Sequence, residues 1–99
     1  MATSGTSEMT HGKARDLVRR AITHADGGQW SCVGMRGRSY GESGEMYSIT
    51  ARAESTFNDP DTQTIEIEYD FQLTADGLDY SKILSDMIWE FDQIAKEYI

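Results

Sequence analysis

The chain has 99 residues, 17 acids against 9 lysines and arginines, a net charge of −8 and one cysteine. This length supports one domain with a single core of modest size, and an apolar share of 38% suits a folded chain rather than a disordered one. No apolar run reaches the roughly 20 residues that span a bilayer, the opening MATSGTSEMTHGK lacks the order of a secretory signal, and Cys32 alone cannot close an internal disulfide, so a reducing, cytoplasmic setting is expected.

Residues 1–10 are mostly small and polar and read as a mobile arm, leaving 11–99 as the domain. In KARDLVRRAITHA, residues 13–25, the positions Ala14, Leu17, Val18, Ala21, Ile22 and Ala25 repeat at helical spacing. Lys13, Arg15, Arg19 and Thr23 form the opposite, basic side. Asp26-Gly27-Gly28 ends the helix, because glycine takes the left-handed conformation that helix ends favour. Gln29–Arg36 reads as a strand whose facing is ambiguous, and Gly37–Gly44 as a loose glycine-rich turn.

Glu45–Ser55 alternates, with Tyr47, Ile49, Ala51 and Ala53 on one side. Asn58-Asp59-Pro60-Asp61 is a turn signal, since Asn and Asp cap turns and proline fixes φ. TIEIEYDFQL, residues 64–73, alternates without a break. Ile65, Ile67, Tyr69, Phe71 and Leu73 face a core, while Glu66, Glu68, Asp70 and Gln72 face water. Thr74–Gly77 turns the chain, Asp79 caps a helix, and residues 80–98 form the longest helix. Its core stripe is Tyr80, Ile83, Leu84, Met87, Phe91, Ile94, Ala95 and Tyr98.

The predicted fold is therefore α+β: an α-β-β-β-α order, with a three-stranded antiparallel sheet and two helices packed on one face. In element order it resembles the double-stranded-RNA-binding domain. That family uses lysines at the start of its second helix on phosphates, whereas Leu78–Ile83 here holds one lysine and one acid. The likeness is thus one of order, and those binding residues do not carry over.

Three features could carry function. The first is the acid row Glu66, Glu68 and Asp70. Neighbours two apart on a strand are about 7 Å apart, where two charges in water repel by about 0.6 kcal/mol. The row is tolerable as a solvated face that blunts edge pairing. It could equally dock a basic partner, because its spacing resembles that of phosphates along a nucleic-acid strand. Asp86, Glu90 and Glu97 on the last helix extend the negative field. The second feature is Trp89, about 180° from the core stripe among polar residues. It reads as an interface anchor, towards a partner or a second copy, or as a side chain covered by the first helix or the arm.

The third feature is the glycine-rich turn with Arg36 and Arg38. Such a loop can hold phosphate, but this one lies between strands rather than opening a helix. Catalytic residues are not expected. His11 falls in the arm and His24 at a helix end, where the helix dipole explains it. Cys32, His24 and Asp26 have nothing in the sequence to fix them as nucleophile, base and orienter. The histidines and Cys32 lack zinc-site spacing, and the acid row lacks calcium-loop geometry. No metal and no cofactor are expected.

The charge is divided unevenly: residues 1–52 carry seven bases and five acids, and residues 53–99 carry two bases and twelve acids. An acidic half repels nucleic acid and acidic membranes and attracts basic surfaces. The expected function is therefore a small acidic protein-binding inhibitor or adaptor. It would dock on a basic, nucleic-acid-binding surface of a host complex through Glu66, Glu68, Asp70, Asp86, Glu90 and Trp89. In size and charge it is similar to the anti-defence proteins of phages and mobile elements, such as anti-CRISPR inhibitors. Alternatives are an RNA-binding or ribonucleoprotein module using Arg15, Arg19, Arg20, Arg36 and Arg38, and a small acidic secretion-type chaperone acting as a dimer.

Overall fold

The computed structural model describes residues 9–55, 63–73 and 77–97, without the side chain of Asp26. Its elements are α1 (His11–His24), a 3-10 turn (Ala25–Gly28), β1 (Trp30–Tyr40), β2 (Met46–Ser55), β3 (Gln63–Gln72) and α2 (Tyr80–Lys96). The three strands form one antiparallel sheet in the order β1-β2-β3. The α-β-β-β-α order matches the expectation from sequence. The segment around Asn58–Asp61, residues 74–76 of the second turn, Tyr98 and residues 1–8 of the arm lie outside the described residues.

Both helices begin at side-chain caps. Thr10 accepts from the Lys13 backbone N–H at 3.1 Å, and Asp79 accepts from that of Lys82 at 3.2 Å. Each cap satisfies an amide that the first helical turn leaves without a partner. α1 therefore starts two residues before the periodic run, and Met9 just ahead of its cap is buried in the core. The last two residues of the expected arm thus belong to the folded domain.

α1 buries Ala14, Leu17, Val18, Ala21 and Ile22; α2 buries Met87, Phe91 and Ala95. They close over Tyr47, Ile49, Ala51 and Ala53 of β2 and Ile65, Tyr69 and Phe71 of β3. Trp30 at the start of β1 is almost fully buried and meets Phe91 edge-to-face, with ring centroids 5.7 Å apart.

β1 runs four residues beyond its predicted end, and its ambiguous facing has a structural cause. The register with β2 steps between Cys32 and Gly34, leaving Val33 as an extra residue, half exposed at 50%. This β-bulge switches the parity of the strand. Trp30 and Cys32 face the core before it, and Met35 and Gly37 face the core after it, so no single alternation fits. β2 and β3 instead pair through ten consecutive positions with no step.

Candidate functional site

The open face of the sheet carries side chains from all three strands. Arg36 of β1, Thr50 of β2 and Glu68 of β3 stand abreast, as do Arg38, Ser48 and Asp70. Arg52 stands beside Glu66. The face is therefore graded from basic at β1 to acidic at β3, and the acids have local partners. Ser48 Oγ donates to Glu68 Oε2 at 2.8 Å, and an Arg52 guanidinium nitrogen lies 3.8 Å from Glu66 Oε2. The Tyr40 phenol reaches Asp70. Desolvation, then the charge of Asp70 and the hydrogen bond to it, hold that hydroxyl above its ordinary range.

The sequence could not show this grading, because it assigned Arg36 and Arg38 to a strand end and a turn of unknown facing. They lie within β1, and the turn proper is Gly41–Glu45. Gly41 and Gly44 have positive φ there, as a tight turn requires. The Glu45 carboxylate accepts the Ser43 backbone N–H at 2.9 Å. That bond, and one from its own backbone N–H, hold Glu45 below its ordinary carboxylate range. A side-chain carboxylate thus occupies the amide that a phosphate would need.

The outer side of β3 combines apolar and acidic residues in one surface. A groove of about 440 Å³ runs between this strand and α2. Tyr69, Phe71, Ile83 and Met87 supply apolar lining, and Glu68, Asp70 and Glu90 are acids of the same groove. Helical geometry explains why Glu90 joins them. At 100° per residue it stands about 60° from Met87, on the same side as Ile83. The Tyr69 hydroxyl is buried and has no hydrogen-bond partner among the described residues. Burial foremost, and the charge of Glu90 second, push its pKa up to about 12.

Three of the six expected binding residues, Glu68, Asp70 and Glu90, thus come together around one groove. Glu66 lies further along the open face. Asp86 is one turn before Glu90 and pairs with Lys82 at 3.1 Å. Trp89 is 64% exposed, so α1 does not cover it. It stands about 160° from Met87 around the helix, away from the groove. The apolar lining was missed in the sequence because each member looked only like core. The signal was present in TIEIEYDFQL, whose acids alternate with the residues that form the groove wall.

The arginines of the RNA-binding alternative do not converge. Arg15 donates to the Tyr47 hydroxyl at 3.0 Å, and Arg20 pairs with Asp16 at 2.8 Å. Arg36 and Arg38 lie on the opposite side of the sheet from α1. Cys32 donates weakly to the Gly34 carbonyl within the bulge. Among the described residues, no three His, Cys, Asp or Glu side chains gather as a metal site requires, and no helix is long and apolar enough to cross a membrane.

No family model matches the chain, and neither does any curated protein or solved structure.

Proposed function

We propose that this chain is a protein-binding inhibitor or adaptor that docks on a basic surface of its partner through the groove between β3 and α2. The observation that carries this reading is the convergence of Glu68, Asp70 and Glu90 on one apolar groove, although Glu90 lies 20 residues beyond Asp70 in the chain. An apolar floor supplies burial, and acidic banks select a cationic partner by steering and by repelling anions. Size and charge favour one form of this function, an anti-defence protein of a phage or mobile element that occupies a nucleic-acid channel of a host complex. Trp89 offers a second contact, towards that partner or another copy, on a separate face of α2.

The test starts from capture on the tagged chain in nuclease-treated lysate of the native host, followed by purification of the captured protein. Titration of that protein's complex with nucleic acid is expected to show displacement by the chain. The triple variant Glu68→Lys, Asp70→Lys, Glu90→Lys is expected to lose at least about tenfold in affinity, since each rim charge costs on the order of 1 kcal/mol. Equal capture and displacement by the triple variant would overturn the reading.

A further inference from the structure

We propose that the groove's occupant is an extended basic segment of the partner, which adds to the free edge of β3 as a fourth strand. The inference rests on the docking function above and specifies how docking occurs. The two sheet edges are not equivalent. β1 carries the bulge at Val33 and two interior glycines, Gly34 and Gly37, which disrupt and twist an edge against further pairing. β3 is regular: its ten-residue pairing with β2 is unbroken, and among the described residues no strand faces its outer side from Thr64 to Phe71. A regular edge presents a row of backbone donors and acceptors, which an extended peptide can satisfy.

The side chains beside this edge define the peptide. A fourth strand would alternate its side chains between the open face and the groove. On the groove side it would meet the apolar lining of Tyr69, Phe71, Ile83 and Met87. On the open side it would lie against Glu66, Glu68 and Asp70, all exposed. The complementary sequence alternates apolar residues with lysine or arginine, and Glu90 strengthens the preference for positive charge.

A second copy fits less well. Antiparallel pairing of β3 with itself sets acid rows against each other, and like charges directly opposite are destabilising. Residues 1–8 of the same chain contain no lysine or arginine and so lack the complementary charge.

The experiment uses the full chain and a fluorescent nine-residue peptide of alternating valine and arginine. Two further versions are N-methylated, one on the valine amides and one on the arginine amides. In a strand, successive amides point to opposite edges, so each version blocks one edge while keeping the charge. The unmodified peptide is expected to bind one-to-one, with one methylated version at least about tenfold weaker and the other within about twofold. Hydrogen exchange is expected to slow at the outward-facing amides of β3 when the peptide binds, and Glu68→Lys with Glu90→Lys is expected to abolish binding.

Equal binding of both methylated peptides would overturn strand addition and leave charge-driven docking standing. Failure of the unmodified peptide to bind, even at low salt, would also overturn strand addition, while docking itself is decided by the displacement titration. Slow exchange at the outward-facing amides of β3, those not bonded to β2, without peptide would also overturn the proposal. If it grew with protein concentration it would assign the edge to a second copy, and if it did not, to the chain's own residues 1–8.

Discussion

Tyr69 belongs both to the core and to the groove lining. Its ring lies on the buried side of β3, and its hydroxyl has no hydrogen-bond partner among the described residues. Leaving such a group unsatisfied costs about 1–3 kcal/mol. Burial raises its pKa to about 12, against about 10 in an unfolded chain. The folded state therefore keeps a proton that the unfolded state loses between these values. The associated stability is complete below about pH 10 and is lost as the pH rises towards 12. Allowing for solvent at the ring edge, it amounts to about 2 kcal/mol. Tyr69→Phe should be at least as stable as the native chain near pH 7. Its urea midpoint should fall less than the native one between about pH 10 and pH 11.5. An equal fall would show that Tyr69 does not control alkaline unfolding.

At the level of the element, β1 shows what pattern reading misses. The regular elements were legible: α1, β2, β3 and α2 lie within a few residues of their periodic runs, and Asp79 caps α2 as its residue type suggests. β1 was shortened because its bulge breaks the period and its glycines imitate a turn. Gly37 has a steric role there. The Tyr47 ring lies across it, and a Cβ at this position would overlap the phenol. That ring also accepts Arg15 through its hydroxyl and meets His11 edge-on at 4.3 Å, so it has little freedom to move. Gly37→Ala should therefore lower stability by about 2 kcal/mol, within the usual range for overpacking, as read from a denaturant midpoint. A second substitution, Tyr47→Ala, should make Gly37→Ala nearly neutral in that background. Additive losses would place the strain elsewhere.

For the whole molecule, the important quantity is where the charge lies rather than its sum. TIEIEYDFQL correctly placed three acids on the wet side of a strand. The alternation of β2 also put Arg52 on its outer side, but sequence could not place Arg36 and Arg38 on that face, because their position depends on the facing of β1 and its register with β2. The bases of β1 oppose the acids of β3 in the long-range field felt by a cationic partner, but the groove and its Glu90 bank lie beyond the opposite edge of the sheet. Field and contact can therefore be separated kinetically, because distant charges act mainly on association and contact residues on dissociation. Arg36→Glu with Arg38→Glu should raise the association rate for a basic partner several-fold at low salt, leave dissociation unchanged, and lose the advantage above about 0.5 M salt, where screening is nearly complete. Glu68→Lys with Glu90→Lys should instead accelerate dissociation at every salt concentration. If the arginine reversals changed dissociation as strongly as the groove reversals, the partner would sit on the open face of the sheet and not beside β3.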